Sequence, residues 1–305
     1  MKKIIISILI CFIGTHTMSQ NESSAVAASL DDYVFNIPPG WVATRYVDGI
    51  VLSPAPPNPE RCNITIHPLR PAGASISADA VQKFNEVFKG FVGKQGMTSN
   101  SVIRGNSVQG WDYFMIKAAV GMPGGNYQTM FGFVCVINLG NQLASISGIS
   151  KDPLVSSCFG LNLKDVWPNF FYSLQFRNWG KGLSEKEMMK RLAGIWMSAT
   201  ATAGDRIVFA PNGRYANAAA SQQYTVTATS VMTITDAYFG NGRYALKGYQ
   251  IIFTGDDDKS NPRPGLYRLE EESRDNGNTW KSKLYITRIS TIDGAEYEVG
   301  YEKQQ

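Results

Sequence analysis

The five residues Asn-Gly-Arg-Tyr-Ala occur twice, at 212–216 and 241–245, and Asn276-Gly277 and Asp293-Gly294 follow. Asn-Gly and Asp-Gly accept positive φ at both central positions of a tight turn, so each favours a type I′ hairpin. Set between apolar runs, they predict a chain that doubles back on itself repeatedly. Strand patterns fall at 196–201, 206–210, 215–219, 224–229, 231–237, 244–253, 266–272, 281–289 and 297–301. Alternation is visible in Tyr249, Ile251 and Phe253, and again in Tyr297, Val299 and Tyr301, with intervening residues such as Glu296, Glu298 and Glu302 expected to face water. So many short strands leave raw edges unless the sheet closes, and residues 193–305 are therefore expected to form an all-β barrel.

The preceding part has a different rhythm. Short strands at 33–37, 50–52 and 64–66 lead to a helix capped by Ser77, with Val81, Phe84, Phe88 and Phe91 on one face and Lys89, Lys94 and Gly96 near its end. Longer strands follow at 101–105, 111–119, 127–139 and 142–150, then Asp152-Pro153 as a helix start and an aromatic helix with Trp167, Phe170, Phe171 and Leu174. This order predicts an α+β domain over 31–177 around an antiparallel sheet. Two glycines break the pattern at 177–184. A helical linker over 178–192 then begins with the capping box Ser184-x-x-Glu187.

The N-terminus reads as an export signal. Met1-Lys2-Lys3 is basic, 4–13 is apolar except for Ser7, and small or polar residues follow, with cleavage best placed after Ser19. The stretch is too short to span a bilayer as a mature helix. Ile10 stands where a lipobox wants Gly or Ala, which argues against lipid attachment at Cys11. The expected organisation is thus signal peptide 1–19, polar lead-in 20–30, the α+β domain, the linker and the barrel. The expected location is periplasmic or secreted, with no transmembrane segment in the mature chain.

Loss of Lys2 and Lys3 takes the basic residues from 29 to 27 against 25 acidic ones, a net of +2. The charges are interspersed, so no nucleic-acid partner is expected. Cys62, Cys135 and Cys158 remain, an odd set that allows three pairings. Cys62 and Cys135 both alternate with apolar residues, so a buried, inert thiol is the default for each. No Cys-x-x-Cys spacing points to a metal, and no cofactor is expected.

The opening strand Phe35-Asn36-Ile37-Pro38-Pro39-Gly40-Trp41, the strand and helix order, and the aromatic closing helix together resemble the PsbP-like family. That resemblance implies an α/β/α sandwich used for docking to other proteins, with no shared catalytic set. Gly194-x-Trp196 after a short helix, with 209–215 as second strand and turn, is similar to lipocalin-like barrels. The resemblance implies that Gly194 and Trp196 close one end of the barrel, with Arg288 as the candidate cation over the tryptophan.

Catalytic chemistry finds little support. The mature chain has one histidine, His67, which reads as a surface residue ending a strand beside Pro68. Asp256, Asp257 and Asp258 read as a solvated hairpin tip, and Glu270, Glu271 and Glu272 as a strand with two acids on one face. Gly121, Gly124 and Gly125 read as a hairpin rather than a phosphate cradle, since no helix follows. Tyrosines carry the one candidate ligand site: Tyr215, Tyr244, Tyr249, Tyr267 and Tyr285 combine an apolar ring with a polar tip. Side chains commonly fill small barrels, so packing is favoured over a pocket. The leading expectation is a non-enzymatic interaction protein whose partner is another envelope or secreted protein. The alternatives are a carrier of a small apolar ligand in the barrel and an envelope enzyme working through carboxylates.

Overall fold

The computed structural model describes residues 32–57, 62–89, 97–107, 109–121, 129–150, 158–159, 166–180, 182–198, 206–217, 222–227, 230–235, 241–257, 259, 262–275, 277–289 and 296–304. The signal segment, Cys11, the 20–30 lead-in, Phe91, Lys94, Gly96, Gly124, Gly125, Asp152-Pro153, Asp258 and Asp293-Gly294 lie outside them.

Before the linker run β1 (Tyr33–Val34), β2 (Trp41–Tyr46), β3 (Gly49–Pro54), β4 (Cys62–Pro71), α1 (Ile76–Val87), β5 (Met97–Asn106), β6 (Asp112–Gly121), β7 (Thr129–Asn138), β8 (Gln142–Ser150), α2 (Val166–Ser173) and β9 (Gln175–Phe176). After α3 (Glu185–Leu192) come β10 (Gly194–Ser198), β11 (Arg206–Phe209), β12 (Arg214–Asn217), β13 (Gln222–Thr227), β14 (Ser230–Thr235), β15 (Asn241–Lys247), β16 (Gln250–Gly255), β17 (Arg263–Ser273), β18 (Lys281–Ile289) and β19 (Glu296–Lys303).

The C-terminal part is an antiparallel barrel of eight strands. Its order is β10, β11, β12, β15, β16, β17, β18, β19, closed by pairing of β19 back to β10 and of β16 to β17. The hairpin β13–β14 pairs only with itself, so one expected pair of strands stays out of the ring. The expected strand 244–253 is two, β15 and β16, turning at 248–249.

The repeated pentapeptide has two roles. Gly213 turns β11 into β12 with φ +82°, where a side chain is strained. Gly242 lies inside β15, opposite Tyr215 on one side and Gly255 on the other, and is not a turn. A Cβ there would overlap the Thr254 carbonyl oxygen and the Tyr215 ring. The two copies pair antiparallel with each other, Arg214 opposite Arg243, and both send their tyrosine inward.

The barrel interior is filled by Trp196, Ile207, Phe209, Tyr215, Tyr244, Leu246, Ile251, Phe253, Tyr267, Leu284, Ile286 and Tyr301. Helix α3 belongs to this core. The Ser184–Glu187 capping box fixes its start, and Met188 and Leu192 pack into the barrel cluster. The segment read as a linker is therefore part of the barrel's hydrophobic interior.

In the other half, β2-β3-β4-β8-β7-β6-β5 form an antiparallel sheet with an apolar cluster on each face. Alternate residues divide between them: Tyr113 and Met115 face one cluster, Phe114 and Ile116 the other. Helix α1 covers β6 and β7 with Ala80, Phe84 and Phe88, each phenylalanine contributing about 2 kcal/mol by burial. Its cap is Ser75 rather than Ser77, because Ser75 is extended and its hydroxyl accepts from the Ala78 N–H at 3.2 Å. Val81, expected on the docking face, is 49% exposed. Helix α2 supplies Phe170, Phe171 and Tyr172 to the opposite cluster, where Tyr113 meets Phe171 at 5.1 Å. The opening strand is shorter than expected, and 41–46 form a strand not anticipated.

Cys62 is not a free thiol: it is disulfide-bonded to Cys158. Cys135 is free and buried, and burial pushes its thiol well above the usual range. His67 sits within β4 rather than at its end, with Nε2 2.9 Å from Ser147 Oγ.

The two halves share one sheet. β17 pairs with β16 through 263–266 and then with β5 through 270–273, so a single strand belongs to both the barrel wall and the N-terminal sheet.

Candidate functional site

The five candidate tyrosines do not gather in one pocket. Tyr215, Tyr244 and Tyr267 point into the barrel and are at most 6% exposed. Tyr215 packs edge-on against Phe253 and Tyr244 against Phe209, and the Tyr244 hydroxyl donates to the Ala210 carbonyl at 2.9 Å. Burial raises Tyr244 to about 12 and Tyr267 further. Tyr249 lies at the β15–β16 turn and stacks on Tyr172 at 5.3 Å, outside the barrel. Tyr285 is also outside, beneath the Arg268 guanidinium at 4.3 Å.

At the barrel base Trp196 is fully buried and its Nε1 donates to the Leu192 carbonyl at 2.8 Å. The cation over its ring is Lys303, directly opposite it in register, with Nζ 5.2 Å from the ring centre. Arg288 lies on β18 opposite Tyr297, and its side chain is outside the described residues.

Where β17 passes from barrel to sheet, its even residues face the N-terminal half. Arg268 is the centre of the resulting cluster. Its Nε lies 3.0 Å from Glu270 Oε1, Nη2 3.3 Å from Glu298 Oε1, and Nη1 donates to the Tyr172 hydroxyl at 3.4 Å. Tyr113 donates its hydroxyl to Glu270 at 2.8 Å. Glu272 pairs with Lys283 and accepts from Ser101. Burial opposes the charge on Arg268, but the Glu270 and Glu298 carboxylates outweigh it and hold the guanidinium protonated. Glu298 titrates higher than usual because burial dominates over the arginine. Lys117 titrates lower than usual, again through burial. Glu270, Glu272 and Glu298 are thus partners in a part-buried network, where solvated acids were expected. Glu271 alone of the triplet faces the other side, where Arg104 pairs with it at 2.5 Å.

Beside this seam lies a cleft of about 780 Å³. Arg104, Asn106, Phe114, Leu269, Trp280 and Lys303 define its walls. The Arg104 guanidinium lies 4.2 Å over the Trp280 ring, whose edge meets Phe114. Arg191 from α3 donates to Asn106 at 2.8 Å and pairs with Asp112 at 3.3 Å. The sequence reading missed Arg104, Arg268, Trp280 and Lys303. Arg268 alternates with the inward Tyr267 and Leu269, which marks it as solvent-facing until the sheet covers it.

Glu270 and Glu298 both pair with Arg268. Asp256 is held by a two-pronged pair with Arg214, which keeps its carboxyl below the usual range. Among the described residues no cluster of His, Cys, Asp and Glu is arranged to hold a metal ion, and no helix is long and apolar enough to cross a membrane. Comparison with known protein families and with curated proteins gives no match to this chain.

Proposed function

We propose that this is an exported, non-enzymatic binding protein in which a PsbP-like α/β/α module and a lipocalin-like barrel present one rigid surface to another envelope or secreted protein. The observation that carries this reading is the seam. A shared strand, with Arg268 donating to Tyr172 and Glu270 and Glu272 accepting from Tyr113 and Ser101 across it, ties the two halves together. A fixed orientation suits recognition across both halves, because little ordering entropy is lost on docking.

Helices on opposite faces of the N-terminal sheet support the sandwich reading, and a buried tryptophan at the barrel base supports the lipocalin-like one. The Cys62–Cys158 bridge supports an oxidising compartment, and therefore export. Twelve large side chains inside the barrel weigh against a carrier with its ligand in the lumen.

Capture with the full chain from envelope extract and culture supernatant, followed by cross-linking, tests the proposal. It predicts a partner enriched over control at moderate salt, with cross-links on both sides of β17. No enriched partner, or a stoichiometric apolar adduct in the native mass spectrum, would contradict it.

A further inference from the structure

We propose that the cleft beside the seam binds a small amphipathic carboxylate, its apolar body against Trp280, Phe114 and Leu269 and its charge on Lys303. This goes beyond the docking reading and does not depend on it.

The cleft lies on the α1 side of the seam, where β5 joins β17 at Arg104–Glu271 and Gly105–Glu270, and its wall continues to Lys303 at the barrel base. Its volume of about 780 Å³ is in the range that takes a small organic molecule. Phe114 and Leu269 belong to or pack on the two adjoining hydrophobic cores, and Trp280 stands at the rim, half-buried.

The charges on the wall are unequally satisfied. Arg104 is committed to Glu271 and to the Trp280 ring. Arg191 is committed to Asn106 and Asp112. Glu270 is committed to Arg268 and Tyr113. Lys303 differs. Its Nζ donates to the Arg191 carbonyl at 3.1 Å and lies over Trp196, and among the described residues no carboxylate is within 4.0 Å of it. An ammonium has three N–H donors, so the carbonyl leaves two unused. Burial works against its charge, with Glu271 the opposing influence. An incoming carboxylate would satisfy those donors without breaking an existing pair.

The lysine also lies close to the backbone of β10. Its stem runs past Gly194, where φ is +134° and a Cβ would come within 2.7 Å of Lys303 Cε. A residue with a side chain at 194 would push the ammonium out of the wall. The family reading assigns Gly194 and Trp196 to barrel closure, whereas here they also position a cation at the cleft.

The test uses the full-length protein and two probes of one shape, 2-naphthoate and its uncharged amide, 2-naphthamide, measured by calorimetry and by quenching of tryptophan emission. Naphthoate is expected to bind at a single site about tenfold or more tighter than the amide, a preference that shrinks as salt rises. Lys303→Met should remove the preference by weakening naphthoate and sparing the amide, and Lys303→Arg should keep most of it. Trp280→Ala should weaken both probes several-fold. Equal binding of the two probes by the natural protein, or no binding of either, overturns the proposal. So does unchanged naphthoate affinity in folded Lys303→Met. Should that variant fail to fold, the probe pair on the natural protein and the Trp280→Ala variant decide the matter.

Discussion

His67 shows how a single side chain reports its surroundings. Its ring lies against Ser147, and burial lowers its pKa to about 4, helped by the Lys83 and Arg70 cations and opposed by Glu86 and Asp48. Between pH 6.5 and 4 the unfolded chain takes up a proton that the native ring refuses. Stability present above pH 6.5 is therefore lost as pH falls towards 4, by at most about 3 kcal/mol. Denaturant unfolding at stepped pH should show this loss, and His67→Gln should flatten the curve in that window. An identical pH profile for the variant would contradict the assignment. The two pentapeptide glycines give a second residue-scale contrast. Asn tolerates positive φ, so Gly213→Asn should lower stability by only about 1 kcal/mol. Gly242→Asn forces a Cβ into backbone and ring, and should lower it by more than about 2 kcal/mol. Equal losses would mean that one conformational role serves both copies. Sequence alone gave both glycines the same role, because Asn-Gly is a local signal and the Tyr215–Gly242–Thr254 crowding is not.

Among the elements, β17 carries the most consequence. Its alternation was legible: Tyr267 and Leu269 face the barrel interior as the pattern requires. What was not legible is that its other face is covered. Glu270 and Glu272 read as wetted residues, and Arg268 drew no reading, because nothing local in an antiparallel strand announces a second sheet packed alongside. The same applies to Glu298 on β19. Barrel closure and the docking of α1 through Phe84 and Phe88 were available from spacing, whereas of the two pentapeptide copies only the first, at 212–213, makes the expected turn. The cleft was not, since its walls come from β5, β6, α3, β17, the turn before β18 and β19, and meet only in three dimensions. Arg268→Ala tests the element directly. It leaves Glu270 and Glu298 desolvated without their cation, and should lower stability by roughly 3–5 kcal/mol. A loss below about 1 kcal/mol would place the cluster among ordinary surface ion pairs.

At the scale of the whole molecule, three apolar cores are strung along one sheet. The barrel core is separate from the two cores of the N-terminal half, yet Trp280 packs against the α1 side and Tyr249 against Tyr172 on the other. The halves therefore grip each other above and below the shared strand, and the relative orientation on which docking depends is set there. The most direct measurement is native-state hydrogen exchange of the backbone amides at 102–105 and 270–273. If the seam joins the halves into one body, these amides exchange as slowly as those in the middle of β6 and β18. Exchange as fast as in exposed loops, with all three cores still protected, would show two globules hinged at β17 and would contradict the account.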